Sequence, residues 1–399
     1  MLILFIMNIL VIFSLISSPL RGADSPSNPA LLIDASNQFG FALFEQLTTG
    51  QMDENVVISP YSIASALTMC LNGAAGETRT AMLKTLGLTG LELDAVNTQA
   101  KQLRDRLSQT ESGVILKIAN SLWARKEVVF KSSFKKKIKR FHAAEMFTLD
   151  FNRADAADVI NRWVTQKTQN KIRSIITRIN PEQVLFLINA IYFKGKWQHP
   201  FDKEMTADEE FYLANDKTIR VPMMHRSGKF NYLETDGFAA VELPYAQGNI
   251  SMFLLLPDES IGIKGLLARF NPDNWSTWLA LFESRQGQIA LPRFKIEYEQ
   301  SLKPALSKLG MALAFDLNRA NFSEMSSVPL AVGDVKHKSY LEVNEEGTEA
   351  AAVTSVEMVM TAVPARTFNL FFNRPFVFLL QDNHTGAILF LGTVCQPGS

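Results

Sequence analysis

The chain has 399 residues, with 40 basic and 40 acidic side chains and 47% hydrophobic residues. Balanced charge removes any global pull toward nucleic acid or an acidic membrane surface, and the apolar content suffices for a sizeable core. No Pro/Gly/Ser-rich linker, low-complexity tract or internal repeat follows residue 30, so a single domain over 24–399 is expected rather than a string of modules.

The elements are taken from the N-terminus. Residues 1–16 are almost wholly apolar and are followed by the small residues Ser17, Ser18, Gly22 and Ala23. Such a stretch reads as a signal peptide over 1–23, so the mature protein is expected to be secreted and to leave no membrane anchor. The apolar run is also short for a bilayer span, which takes about 20 residues. Apolar residues at helical spacing (Leu31, Leu32, Ala35, Phe39, Leu43) predict an amphipathic helix over 28–47. After a short strand over 56–58, Ser59-Pro60 supplies a hydroxyl cap and a first-turn proline for a helix that runs to about Leu71. Further helices are predicted from Gly76 to about Gly87 and over 91–109, 132–141 and 154–168. Residues 114–123 read as a strand, and the nearly continuous apolar run 184–193 as a central strand buried on both faces. Beyond residue 210 strands dominate, at 221–224, 229–234, 238–244, 250–256, 288–294, 338–343, 376–381 and 387–394, with helices at 263–270, 275–282 and 300–309. Helices come mainly first and strands mainly last, without βαβ alternation, which indicates an α+β fold with large, mostly antiparallel sheets.

The chemistry-bearing motifs of common enzymes are missing. Of the five histidines, none sits in HExxH or has zinc-ligand spacing, and there is no GxSxG elbow, no GxGxxG after a strand and no Walker loop. A non-enzymatic protein without metal or cofactor is therefore expected. The two cysteines, Cys70 and Cys395, do not make a disulfide framework, and Cys70 lies in an apolar helical run.

The informative segment is 342–361 (EVNEEGTEAAAVTSVEMVMT). With period two, one face carries Thr348, Ala350, Ala352, Thr354, Val356 and Met358, all small or apolar, while both Glu349 and Glu357 fall on the other. The segment can therefore become a strand with one face on a core, and its small side chains would let it enter between existing strands without overpacking.

The stretch Glu345, Glu346, Gly347, Thr348, Glu349, Ala350, Ala351, Ala352 resembles the hinge of an inhibitory serpin's reactive-centre loop. Residues 55–71 (NVVISPYSIASALTMCL) resemble the family's core helix, 187–197 (LINAIYFKGKW) its central strand and turn, and 372–394 (FNRPFVFLLQDNHTGAILFLGTV) its C-terminal strand pair. The resemblance implies a serpin fold, with about nine helices around three mostly antiparallel sheets and an exposed reactive-centre loop over about 345–370. It also implies a monomer that acts as a suicide substrate: a serine protease attacks the loop and forms an acyl-enzyme, and the freed loop inserts into the main sheet before deacylation. Counting as in the family, the scissile bond falls sixteen residues past Glu345, between Thr361 and Ala362, with Met360 the runner-up. A small uncharged residue there implies an elastase-like target, or a chymotrypsin- or elastase-like one if Met360 is used. A serpin that carries a ligand and no longer inhibits is the alternative, although such members commonly lack the small hinge residues kept here.

By the same resemblance, Ser59, Ser62, Asn189 and His337 match the polar "shutter" where the sheet parts. Trp197, Arg293 and Glu345 match the "breach" where the loop first enters. The run 125–140 holds eight basic residues and one acid. It reads as a solvated helix face, with a heparin-like polyanion as the alternative partner. Asn249, Asn274, Asn321 and Asn383 each begin a glycosylation sequon.

Overall fold

The computed structural model describes residues 29–51, 53–109, 111–180, 183–348 and 367–398. The signal peptide expected over 1–23 lies outside them.

The first half of the chain supplies α1 (Ala30–Thr48), β1 (Val57–Ile58), α2 (Pro60–Leu71), α3 (Gly76–Thr85) and α4 (Leu93–Leu107). The expected start of α2 holds in detail: the Ser59 Oγ accepts from the Ser62 N–H at 3.3 Å, and Pro60 occupies the first turn. Then come β2 (Val114–Arg125), α5 (Ser132–Lys137), β3 (Glu145–Leu149), α6 (Ala156–Lys167) and β4 (Leu185–Lys196). The rest is mostly strand: β5 (Ala207–Tyr212), β6 (Thr218–Thr235), β7 (Phe238–Tyr245) and β8 (Ile250–Pro257) precede α7 (Gly262–Leu267) and α8 (Pro272–Leu279). β9 (Glu283–Pro292), β10 (Phe294–Ser301), α9 (Lys303–Leu306), β11 (Asp334–Val343), β12 (Gly347–Thr348), β13 (Phe368–Phe371), β14 (Phe376–Asp382) and β15 (Ile388–Val394) complete the chain. Nine α-helices among the described residues, with strands concentrated in the second half, make the fold α+β.

The main sheet runs β10-β11-β4-β2-β3, with β12 added on β4. β4 lies at its centre, antiparallel to β2 and parallel to β11. Alternate β4 residues face opposite ways. Phe186, Ile188, Ala190 and Tyr192 pack with Ile160, Trp163 and Val164 of α6, and Leu185, Leu187, Ile191 and Phe193 pack into the two inner cores. This double burial is the reason its sequence carries no polar alternation. The other strands follow the path β1-β15-β14-β8-β7-β6-β9-β13, with β5 on β6. β6 pairs with β5 and β9 over most of its length and with β7 only at its end. The two further antiparallel sheets expected are thus hydrogen-bonded to one another through this shared strand.

Three local expectations change. The strands expected at 221–224 and 229–234 are one strand, β6, because Gly228 pairs with Gly287 of β9 instead of turning. A Cβ at Gly287 would lie 2.4 Å from the Phe368 ring, so that glycine makes room for the ring to stack on Tyr232. The helix expected over 300–309 shrinks to α9 and a following turn, since β10 continues to Ser301. β10 alternates buried Phe294 and Ile296 with exposed Lys295, Glu297 and Glu299, and its charged face masks the strand period. The helix expected over 132–141 ends at Lys137 and continues as a π-helical turn, Ile138–His142.

Candidate functional site

Three residues stand in register across the middle of the main sheet. Asn120 of β2 is opposite Asn189 of β4, and Asn189 is opposite His337 of β11. The Asn189 amide donates to Asn120 Oδ1 at 2.6 Å and to Ser62 Oγ of α2 at 2.5 Å. Its Oδ1 lies 2.6 Å from His337 Nδ1. An amide oxygen only accepts, so the imidazole proton is on Nδ1. Ser62, Asn189 and His337 are fully buried. Burial pushes the His337 pKa down to about 3, against a smaller opposing pull from the Val57 carbonyl, so the ring is neutral at pH 7. Ser59 is buried nearby, but its Oγ serves the α2 cap. What this row can do is clear from its position. It ties β4 to both neighbours and to α2 by directional bonds in a dry interior, at the point where β4 and β11 would have to separate to admit a strand.

The second cluster lies at the end of the same strand pair. β11 and β4 stay paired from Asp334/Phe186 to Tyr340/Tyr192. Beyond that point β12 takes the vacated edge of β4, with Gly347 opposite Lys196 and Thr348 opposite Gly195, antiparallel. Glu345 is 2% exposed and forms an ion pair with Arg293, which stands at the β9–β10 junction. Its carboxylate also accepts from Thr206 Oγ1 at 2.8 Å, and its backbone carbonyl accepts from the Phe201 N–H at 2.8 Å. Burial acts to raise the Glu345 pKa. The bonds from Arg293, its own backbone N–H and Thr206 outweigh that and hold the carboxyl below the ordinary range. Trp197 holds the segment from the other side: its backbone N–H donates to Glu346 O and its Nε1 to Asn344 O, both at 2.9 Å. The indole stacks on Tyr245 at 4.2 Å, and the Tyr245 hydroxyl lies 3.0 Å from Thr348 Oγ1, which is fully buried. Gly347 has φ +134°, and a Cβ there would stand 2.1 Å from the Gly195 carbonyl oxygen, so no larger residue fits.

Both described ends of the segment expected as an exposed loop over 345–370 are held in the fold. Glu345, Gly347 and Thr348 are buried, and residues 368–371 are β13, parallel to β9. Tertiary contacts override the hydrophilic look of the acidic run, because Arg293 and the vacated edge of β4 receive it. Glu349, Ala350, Ala351 and Ala352 of the hinge, and Met360, Thr361 and Ala362 at the expected reactive bond, lie outside the described residues.

Sequence reasoning missed Asn120, Thr206 and Tyr245. Only Asn120 left a signal, as part of an Asn-Ser interruption in an apolar strand that matches the interruption at Asn189. In the basic run, Lys135, Lys136, Lys139 and Arg140 are exposed while Phe134 and Ile138 are buried, as on a solvated helix face. Cys70 and Cys395 are buried thiols.

A family model described as "Serpin (serine protease inhibitor)" matches residues 34–397. The chain belongs to the serpin family, and its fold is the serpin fold. Among curated relatives it is 34% identical to leukocyte elastase inhibitor A of Mus musculus, across 92% of this chain and 99% of that protein. It is 33% identical to a serpin-like protein of Methanosarcina mazei, across 92% of this chain and 87% of the other. Among solved structures it resembles the thermophilic serpin tengpin in its native state, with TM-score 0.84 and 30% identity over 92% of this chain and 94% of that one. It also resembles human thyroxine-binding globulin, with TM-score 0.87 and 28% identity over 93% of this chain and all of that one.

Proposed function

We propose that this chain inhibits serine proteases as a suicide substrate. The protease serine attacks the Thr361 carbonyl, the Thr361–Ala362 bond breaks with Ala362 leaving as a new amine, and Thr361 remains as an ester on the enzyme. The freed N-terminal arm then inserts between β4 and β11 and distorts the tethered protease before water can release it.

The observation that carries this reading is the two-residue ladder of β12. Continuing its register one residue at a time down β4 sets Glu349 opposite Lys194, Ala350 opposite Phe193, Ala352 opposite Ile191 and Thr354 opposite Asn189. Every inward position then meets the inner face of β4 with a small or apolar side chain, and the first outward position pairs opposite charges. The strand would run to Met358 opposite Leu185, where β4 begins. The 34% identical leukocyte elastase inhibitor supports an elastase-like target. Export through a signal peptide over 1–23 belongs to the same proposal.

The full chain is incubated with pancreatic elastase, chymotrypsin and trypsin and run on denaturing gels, with the attachment site located by mass spectrometry. Elastase is expected to give a detergent-resistant adduct at Thr361, and trypsin to cut at Arg366 without a stable adduct. No adduct with any of the three would overturn the reading in favour of a ligand-binding protein, which is what the name of thyroxine-binding globulin says of that neighbour. A trypsin adduct at Arg366 would overturn the assigned bond.

A further inference from the structure

After α6 the chain turns through two successive left-handed residues, Gln169 (φ +53°) and Asn170 (φ +64°), a conformation uncommon outside glycine. The segment that follows stays bonded to the helix. Asn161 of α6 accepts the Ile175 and Ile176 N–H groups on its Oδ1 at 2.9 and 3.1 Å, and its Nδ2 donates to the Ile176 carbonyl at 2.8 Å. Thr168 Oγ1 accepts from the Ile172 N–H at 3.1 Å. Ile172, Ile175 and Ile176 share one buried cluster with Trp163 of α6, Trp123 of β2 and Phe186 of β4. Helix and segment thus form a platform that rides on β2 and β4. Across the β4–β11 seam, β11 gives that cluster one residue, Tyr340, and β10 gives none among the described residues.

Between the platform and the far strands lies a cavity of about 590 Å³, a volume that suits a small ligand. Lys171 and Arg173 line it from the platform, and Lys295, Glu297, Lys338 and Tyr340 line it from β10 and β11. The last four share the outward face of the sheet, since Glu297 stands opposite Tyr340, Lys295 opposite Glu342 and Lys338 opposite Glu299. Four cations therefore face one carboxylate in the wall. Lys338 donates to Glu299 at 3.0 Å and is committed there. Lys295 stands 3.6 Å from Glu297, but both side chains are nearly half exposed, which makes a weak pair. Arg173 is exposed and in no ion pair among the described residues. Lys171 and Lys295 each hold Nζ 5.5 Å from the centre of the Tyr340 ring, so these two cations, one from each wall, are no farther apart than twice that distance.

We propose that this cavity binds a compact ligand with two linked anionic groups, a diphosphate or a disulfated sugar, and that the ligand clamps the seam. Arg173 and Lys171 hold it from the platform and Lys295 from β10, with the Arg173 fork matched to two oxygens of one anionic group. Binding requires nothing of the loop. The clamp rests on the insertion proposed above, in which β10 and β11 move away from a platform fixed on β2 and β4.

The full chain is titrated calorimetrically at low ionic strength with inorganic diphosphate, inorganic phosphate and a disulfated disaccharide. One of the two doubly anionic probes is expected to bind saturably at one per chain, the tighter of them marking the source, with phosphate at least about tenfold weaker, the scale of one lost hydrogen bond between charged groups. Arg173→Gln and Lys295→Gln should each weaken that ligand about tenfold, Glu297→Gln should tighten it, and Lys135→Gln on α5 should change nothing. No saturable binding, or a loss in Lys135→Gln as large as in Arg173→Gln, would overturn the site. With elastase, saturating ligand should raise the number of inhibitor molecules consumed per adduct in the unaltered chain and not in Arg173→Gln. An unchanged ratio beside saturable binding would overturn the clamp alone. No adduct even without ligand would overturn the inhibitory reading and the clamp with it, while the titration decides the site by itself.

Discussion

His337 shows how a single buried side chain ties the sheet to pH. Its pKa is about 3 in the folded chain and close to the ordinary value of about 6.5 when unfolded. Between those values the unfolded chain holds one more proton than the folded one, so stability rises with pH through that window. It is fully present above about pH 6.5 and lost as pH falls toward 3. The penalty is about 1.4 kcal/mol per pH unit, or about 2 kcal/mol by pH 5, which in a chain of this size is a shift on the order of 3 °C. Thermal melts at fixed scan rate should therefore show a larger drop between pH 7 and pH 5 for the unaltered chain than for His337→Gln, which keeps a donor for Asn189 without a titrating ring. Equal drops would show that His337 is not the acid-sensitive element. Gly347 is constrained differently, by backbone rather than charge. Its φ of +134° and the Gly195 carbonyl 2.1 Å from where a Cβ would stand leave no room for alanine. Gly347→Ala should undock β12, a change seen as faster hydrogen exchange at Thr348 and Trp197.

At the scale of elements, β4 decides what the main sheet can accept. One edge is fully occupied by β2, from Leu185/Ala124 to Gly195/Val114, whereas the other is shared between β11 and β12. β12 marks the orientation and register in which a longer strand would enter, with Thr348 inward beneath Tyr245. Thr348→Arg would place a guanidinium in that buried position, and an unpaired charge there costs several kcal/mol or more. In the proposed mechanism the variant is cleaved at Thr361 but cannot complete insertion, so elastase should turn it over as substrate, with at least about tenfold more inhibitor consumed per adduct formed, since each 1.4 kcal/mol on the competing step is tenfold. Unchanged stoichiometry would remove insertion along β4 from the mechanism. Much at this scale is legible in the sequence. The period of α1, the Ser59-Pro60 start of α2 and the apolar run of β4 are local signals, and local signals survive folding. β10 and the uninterrupted β6 are not legible, because Lys295, Glu297 and Glu299 imitate a polar segment and Ser227-Gly228 imitates a turn. Only pairing with β11 and β9 keeps them extended.

For the whole molecule, the proposed mechanism requires a native state that is not the most stable arrangement of its own chain, protected by the barrier to parting β4 from β11. Insertion would add on the order of ten backbone hydrogen bonds at about 1 kcal/mol each, enough to raise the melting temperature by at least about 10 °C. Protein nicked in the loop at or near Thr361 should therefore melt well above the intact chain in calorimetry. A nicked form that melts no higher would mean that the native fold stores nothing to release.

The sequence by itself determined the α+β class from the order of its elements, and its resemblance to a family named Ser62, Asn189 and His337 for the polar row, because motifs are carried by local stretches of chain. Ser59, named with them, spends its Oγ on the α2 cap instead. The sequence also determined which residues of the hinge would share a face in an extended strand, since alternation along a strand is a property of the backbone. Only the tertiary structure decided that Asn120 completes the row, that Thr206 and Tyr245 receive the hinge, and that Glu345 and Thr348 are buried before any cleavage. Those facts depend on which strands become neighbours, on where β11 leaves β4 and on a cation standing at Arg293, and no local period records contacts between residues so far apart in the chain.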